Sequence, residues 1–382
     1  MIKYLGSKRR LVPTLVSMAT SIGGSTALDL FSGTARVAMA LKHSGMRVTA
    51  VDSATYAQVL AETYVATDAS QVDTYELAEV LASLDQLPGR AGYVTDVFCE
   101  RARYFHPDNG RRIDAIRDAI EEHWSGSPLY PVLLTSLLEA ADRVDSTTGL
   151  QMAYLKRWAP RALRPLELRV PALVAGPGEA VLGDASVLAG QLGSFDVAYL
   201  DPPYNQHRYF GNYHVWETLV RWDAPEHYGI ACKRVDCRDD ETASRFNRRR
   251  DMPVALASVI AEVDASLLLV SYNNESWLSA EELVAMCRLR LERRPELDCN
   301  TAVAMLGLDQ PRYVGARIGI HNPAGEKVGT VSHLRNTELV VAAGPADVVR
   351  SAIEAGLAAA AASGLSATEV PVLDPVRDPV LE

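Results

Sequence analysis

The run Phe195-Asp196-Val197-Ala198-Tyr199-Leu200 leads straight into Asp201-Pro202-Pro203-Tyr204, and this junction restricts the fold more than any composition figure does. Each proline fixes φ and removes an N–H donor, so the strand read over 195–201 must stop in a stiff loop with outward carbonyls. Open α/β sheets bind ligands beyond the carboxyl ends of their strands, which is where Asp201 falls. A carboxylate beside a carbonyl accepts both hydrogens of an amino group on an aromatic base. That draws the nitrogen lone pair out of ring conjugation and aims it at an electrophile. Tyr204 offers a flat face on which the base stacks.

A second strand-to-turn passage lies near the start, Asp29-Leu30-Phe31-Ser32-Gly33-Thr34-Ala35, after the apolar Ala27-Leu28. A helix is read over 35–44 and a strand over Arg47–Asp52, the opening of an α/β unit with parallel strands. A side chain at Gly33 would keep a ligand from the backbone there. Asp52 ends its strand nineteen residues after Gly33, where an acid accepts hydrogen bonds from both ribose hydroxyls of a nucleoside cofactor. Neither G-x-G-x-x-G nor G-x-x-x-x-G-K-[ST] is present, so the cofactor need not be a dinucleotide or a triphosphate. A glycine required only by the turn remains the other reading of this motif.

From about 55 to 170 strand signals vanish. Ile113, Ile116, Ile120 and Trp124 recur at helical spacing, as do Leu129, Val132, Leu133 and Leu137. A further short helix is read over Gln151–Trp158. The stretch reads as a mostly helical insertion, with helices simply packed on the sheet as the alternative. Strands resume at Ala180–Asp184, Phe195–Asp201, Leu267–Tyr272, Arg312–His321 and Glu338–Ala343. Helices are expected at 252–264 and, Ala-rich, at 345–361. Pro371–Glu382 reads as a loosely held tail.

The 382 residues correspond to about two domains. No window approaches the ~18 apolar residues of a membrane span, and Met1–Lys8 lacks an apolar signal core, so a cytoplasmic protein is expected. Five cysteines, an odd number, fit a reducing compartment. Cys232 and Cys237 bracket four residues, but no second ligand pair follows, and they read as isolated thiols. Net charge is −10, which argues against indiscriminate binding to nucleic acid. Local clusters run the other way. Residues 1–10 hold Lys3, Lys8, Arg9 and Arg10 with no acid. Residues 156–169 hold five basic groups against Glu167, and 233–250 hold seven against four acids. The acid excess is partly C-terminal, with seven acids and two arginines over 337–382.

With these motifs in order, the sequence resembles the Dam-type (class alpha) DNA adenine N6-methyltransferases. Tyr4-Leu5-Gly6-Ser7-Lys8, Asp29 to Ala35 and Asp201 to Tyr204 follow the family's order. Gly183-Asp184 matches its acidic position before the catalytic strand. Asn205 to Glu217, with Tyr209, Asn212, Tyr213 and His214, resembles one branch of the family. The resemblance implies an α/β fold: a Rossmann-like methyltransferase sheet with helices on both faces and an inserted, mostly helical target-recognition domain. It places the discontinuous catalytic domain at 1–60 and 176–345, the insertion at 61–175, and a C-terminal helix and acidic tail at 346–382. It implies S-adenosyl-L-methionine as cofactor, S-adenosyl-L-homocysteine as product and no metal. The catalytic residues are then Asp201, Pro202, Pro203 and Tyr204. The cofactor residues are Tyr4, Gly6, Lys8, Asp29, Phe31, Ser32, Gly33, Thr34, Ala35, Asp52 and Asp184, with Asp52 on the ribose and Asp184 on the adenine. Ala35 departs from the family's usual second glycine; alanine is a small change, from which weaker or slightly displaced cofactor binding is the most that is expected. Double-stranded DNA is the expected partner, with a cognate restriction endonuclease or defence-system component as a second, and no membrane. Candidate DNA contacts are Arg9, Lys156, Arg157, Arg161, His207, Tyr209, Arg248, Arg249 and Arg250.

Three rivals stay in view. The same fold can methylate cytosine N4, an RNA base or a glutamine amide, all amino groups conjugated to a π system. A non-catalytic DNA-recognition subunit can keep the fold, although the intact Asp201 motif argues against it. A nicotinamide dehydrogenase lacks its glycine fingerprint here. Cytosine C5 chemistry needs a thiolate nucleophile, typically after proline, and no cysteine follows one.

Overall fold

The computed structural model describes residues 1–4, 6, 8–203, 208–274, 276–294, 300–311, 320–321, 327–329 and 335–372. No helix among them is long and apolar enough to cross a membrane. The strands are β1 Thr26–Asp29, β2 Arg47–Asp52, β3 Gly178–Leu182, β4 Ser194–Leu200, β5 His227–Tyr228, β6 Lys233–Arg234, β7 Asp264–Asn273, β8 Thr301–Pro311, β9 Ile320–His321, β10 Lys327–Gly329, β11 Arg335–Pro345 and β12 Ala367–Val370. The chain forms two compact units. One comprises Met1–Ser7, Ser32–Asp184 and His207–Asn247; the other comprises Lys8–Phe31, Ala185–Gln206 and Arg248–Glu382.

The second of these units holds most of the sheet. β1 pairs parallel with β4, and β4 parallel with β7, in registers that set Asp29 beside Tyr199 and Leu200 beside Val270. β11 pairs antiparallel with β7, β8 antiparallel with β11, and β12 antiparallel with β8. A reversed strand therefore separates β7 from β8, which run in the same direction. Val197–Leu200, Leu267–Asn273 and Val340–Ala343 are buried without a break. Uninterrupted burial of this kind means cover on both faces, the α/β pattern expected from the sequence. Two helix pairs supply it: Val12–Thr20 with Ala346–Ala362, and Met252–Glu262 with Ala280–Glu292. Gly356 lets the first pair seat closely, since a Cβ there would come within 2.8 Å of Met18 and 3.0 Å of Leu306. In the second pair buried Arg290 donates to the carbonyls of Val263 (3.2 Å) and Ala265 (2.7 Å). The Asp196 carboxylate accepts from the backbone N–H groups of Ser25 (2.7 Å) and Thr26 (2.9 Å), which knots the starts of β1 and β4 together. Their far ends, Asp29 and Asp201, are thereby held in register.

The other unit pairs β2 parallel with β3, setting Asp52 beside Leu182. Beyond the short antiparallel pair β5–β6, its regular structure is helical, including Thr55–Ala61, Thr74–Asp85, Pro107–Trp124, Tyr130–Arg143 and His214–Arg221. Arg117, 1% exposed, donates to the carbonyls of Leu219 (2.7 Å) and Val220 (3.0 Å). It thus satisfies the last turn of the helix that follows the catalytic motif.

Several expectations shift. The helix read over 35–44 is Arg36–His43 and begins only after Ala35. No helix forms over 151–158, which opens with a turn and continues irregularly. Gln151 explains this. Its N–H donates to the Asn212 carbonyl (2.8 Å) and its side-chain oxygen accepts from the Val215 N–H (2.9 Å), so it is committed to distant chain rather than to a helical ladder. The strand read over 312–321 is displaced: Thr301–Pro311 is the long strand, only Ile320–His321 of the expected range is extended, and 312–319 lie outside the described residues. Most of the tail, 373–382, lies outside them too. The helix Val12–Thr20 and strands β8 and β12 carried no signal that the sequence made readable.

Candidate active site

In the sheet-bearing unit Asp201 follows the last residue of β4, as its prolines require. The Lys8 ammonium lies 2.9 Å from Asp201 Oδ1 and is also paired with Glu338 Oε1. Ser271 Oγ, on β7, donates to Glu338 Oε1 at 2.9 Å. The side chains of Lys8, Glu338 and Asp201 are 7%, 9% and 20% exposed, so two carboxylates share one ammonium with little water. Topology brings Glu338 here. Because β11 runs backwards along β7, its beginning lies at the carboxyl end of β7, and Glu338 falls beside Asn273. Burial pushes the Asp201 carboxyl up, to about 6, and Glu338 adds to the rise while Lys8 opposes it. Asp29 is buried at the end of β1, Pro202 is buried, and Phe31 and Pro203 are half-buried. Tyr204 and His207 lie outside the described residues.

In the helical unit the turn Ser32–Ala35 is held from two sides. The Ser32 N–H donates to the Val51 carbonyl (2.9 Å), and the Gly33 N–H donates to Asp52 Oδ2 (2.8 Å). Asp52 Oδ1 accepts from the Ala54 N–H at 3.0 Å. Burial raises the Asp52 carboxyl, and these N–H bonds work against that rise. Gly33 has φ +52°, and a Cβ there would stand 3.1 Å from the Tyr4 ring. The Tyr4 ring stacks on Tyr213, with centroids 4.7 Å apart, and on Tyr209 at 5.4 Å. Its hydroxyl lies 3.3 Å from that of Tyr56. Burial lifts both phenols well above their ordinary values. Glu217, from the helix after the catalytic motif, accepts the Tyr56 N–H at 3.2 Å. Residues drawn from the N-terminal motif, the glycine turn, the end of β2 and the segment after the catalytic motif thus meet in one place. Thr34 is buried, while Gly6 and Asp184 are exposed, Asp184 just past β3.

Ala35 has φ +56°, a left-handed conformation that costs a residue with a Cβ about 1–2 kcal/mol. This is a physical reason for a glycine in that position. Ala35→Gly is expected to raise stability by about 0.5–1 kcal/mol, part of the relief being offset by the freer unfolded glycine. Chemical denaturation of the two proteins would show it as a higher midpoint at an unchanged slope.

The basic clusters divide into structural and exposed groups. Arg161 reaches Asp145 (2.7 Å) and the Thr147 carbonyl (2.6 Å). Arg234 is buried and clamps Asp223 and Asp236. Both serve the fold. Lys156 and Arg157 are exposed, as are Arg9, Arg248, Arg249 and Arg250, with Arg248 lying 3.9 Å from Asp251. Tyr209 is engaged in the tyrosine stack. The Tyr104 hydroxyl lies 2.7 Å from the Gln151 carbonyl and 2.8 Å from that of Ala231, which ties the segment leading to Lys156 to the β5–β6 hairpin leading to Lys233. Cys232 and Cys237 are buried thiols, and burial pushes Cys237 up to about 11.

Sequence reasoning missed Glu338, Ser271, Tyr56 and Glu217 as site residues. Glu217 figured only as the end of a resembling segment, and Glu338 only as an acid heading an otherwise apolar strand.

Comparison with known proteins identifies the family. The model of the D12 class N6 adenine-specific DNA methyltransferases matches residues 4–286. The chain is 32% identical over 299 residues to the type II methyltransferase M.NlaIII of Neisseria lactamica, covering 74% of this chain and 86% of that one. It is 29% identical over 301 residues to the type II methyltransferase M.CviAII of Paramecium bursaria Chlorella virus 1, covering 75% and 87%. It is 28% identical over 307 residues to the modification methylase LlaI of Lactococcus lactis subsp. lactis, covering 75% of this chain but about half, 48%, of LlaI. Among solved structures, magnesium protoporphyrin IX methyltransferase (ChlM) from Synechocystis PCC 6803 with bound SAM aligns over 87% of this chain and 77% of its own, at 7% identity and a TM-score of 0.28, too low to bear on the reading. On its motifs, their placement and the family match, the chain belongs to the D12 class of N6 adenine-specific DNA methyltransferases.

Proposed function

We propose that this chain transfers a methyl group from S-adenosyl-L-methionine to N6 of adenine at a specific sequence in double-stranded DNA, after the base has turned out of the helix. The observation that carries the reading is Asp201, followed by two prolines at the carboxyl end of β4 and held by Lys8.

The cofactor fits the residues present. The Tyr4 ring packs against the backbone at Gly33, where a side chain would crowd it, and Asp52 presents a fixed carboxylate at the same turn. In this reading Asp52 takes the ribose hydroxyls and Asp184 the cofactor adenine, with Gly6, Ser32 and Thr34 as further cofactor residues of the same unit. When bound, the sulfonium cofactor supplies an already activated methyl group. The protein therefore contributes position and electrostatics. Asp201 and the neighbouring carbonyl accept the two N6 hydrogens and orient the lone pair. Once the nitrogen has bonded to carbon, a proton must leave it, and Asp201, with its raised proton affinity, is placed to hold it. Turning the base out of the duplex costs a few kcal/mol.

The helical stretch 61–175 serves as the target-recognition domain in this reading, with Lys156 and Arg157 among its phosphate contacts. Replacing both with glutamine is expected to reduce the slope of log affinity against log salt by about two. Duplex binding measured across a salt series would show it; an unchanged slope places the DNA elsewhere. A restriction endonuclease of the same specificity is the partner this reading proposes.

The reading is tested by incubating the protein with labelled cofactor and mixed-sequence duplex, then digesting to nucleosides. N6-methyladenine supports it. Label confined to N4-methylcytosine, RNA or protein overturns it.

A further inference from the structure

Glu338 belongs to none of the motifs and lies beyond residue 286, where the family match ends. Yet its carboxylate is nine-tenths buried against the ammonium that holds Asp201. Lys8 comes from the segment before the first helix, Asp201 from the end of β4 and Glu338 from β11. β7 contributes the Ser271 hydroxyl, and β4 contributes Tyr199, whose buried phenol feels all three charges. The charged groups facing Asp201 are thus Lys8 and Glu338, with the Tyr199 phenol as the further titratable neighbour.

We propose that Glu338 is a positioning residue for methyl transfer: it fixes the Lys8 ammonium beside Asp201 and, as the second carboxylate on that ammonium, sets the pH at which Asp201 takes up a proton. The proposal rests on the reading of Asp201 as acceptor of the N6 hydrogens. One ammonium between two buried carboxylates leaves a net negative charge, and the Glu338 carboxylate then disfavours ionisation of Asp201. A lysine held by Asp201 alone would keep Asp201 anionic to lower pH. It would also lose its partner as an incoming amino group occupied the Asp201 lone pairs. With Glu338 present the ammonium stays neutralised and in place through that exchange, and Asp201 has a proton affinity suited to the departing N6 proton.

The test compares the full chain with Glu338→Gln and Lys8→Met. Glutamine keeps the shape and an oxygen for Ser271 while removing the charge. The Asp201 carboxyl is titrated in the substrate-free protein by infrared or NMR difference against Asp201→Asn, and single-turnover methylation is followed over the same range. In the parent, titration and the acid limb of the rate should both fall near 6, with the rate lost below it because Asp201 must be ionised to accept hydrogens. Glu338→Gln should move both to lower pH by about half a pH unit or more, and Lys8→Met should move both to higher pH. Glu338→Asp, which keeps the charge, should restore the parent position. A Glu338→Gln titration that stays at the parent pH overturns the proposal, even if the rate drops. If Glu338→Gln fails to fold, an unmoved titration in Lys8→Met overturns it as well. The titration needs no turnover, so parent protein that makes no N6-methyladenine overturns the reading of the reaction, and titration still decides the role of Glu338.

Discussion

Asp201→Ala is expected to lower single-turnover methyl transfer by about a thousandfold, without a matching loss of stability or of cofactor affinity. The size follows from removing a fixed charged acceptor aimed at the reacting amino group. Deleting one such electrostatic group in a dry site costs about a hundred- to a thousandfold, and here orientation of the lone pair is lost with it. The fold should tolerate the change. With Asp201 gone, Lys8 still has Glu338, and a one-to-one ion pair replaces a crowded group of three. Buried charges are costly when left unpaired, and none is left here. Asp201→Asn should retain more activity, since an amide oxygen still accepts one hydrogen. The check is single-turnover kinetics beside thermal unfolding and cofactor titration. Asp201→Ala protein that unfolds at lower temperature, or fails to bind cofactor, would mean that Asp201 holds the structure rather than the base.

The second large effect falls on cofactor affinity. Asp52→Ala is expected to weaken S-adenosyl-L-methionine binding by about a hundredfold, some 3 kcal/mol, from two hydrogen bonds to a charged acceptor worth about 1.5–3 kcal/mol each. Loss of the carboxylate also frees the N–H groups of Gly33 and Ala54, which it holds at 2.8 and 3.0 Å, so the glycine turn itself loosens. Asp52→Asn keeps one acceptor for the turn and should fall between the two. Isothermal titration with cofactor or its demethylated product measures this directly. Unchanged affinity in Asp52→Ala would remove Asp52 from the cofactor site.

How much of this was legible in the sequence depended on whether the signal was local. The strand ending at Leu200 and the loop after it were readable because an apolar run and two prolines lie side by side. The strand ending at Asp52 was readable for similar reasons. Gln151–Trp158 was not, because periodicity cannot register that the polar groups of Gln151 are spent on Asn212 and Val215. Tyr4 was assigned to the cofactor and Tyr209 to DNA, while the structure stacks the two rings together. Spacing along the chain says nothing about which residues share a stack. Glu338 was visible as a strand residue and invisible as a site residue, since only the reversed pairing of β11 on β7 shows which end of the sheet it occupies.

That reversed strand also bears on how the protein is made. Lys8 and Glu338 are separated by 330 positions along the chain. A ribosome emits the lysine 330 residues before its second counter-charge. The nascent chain therefore carries the family motifs long before it carries the finished charge balance around Asp201. Contacts of such long span form late and slowly. A product released early, with every recognisable motif in place but β11 missing, would leave its key carboxylate and lysine in a different electrostatic setting from that of the mature enzyme.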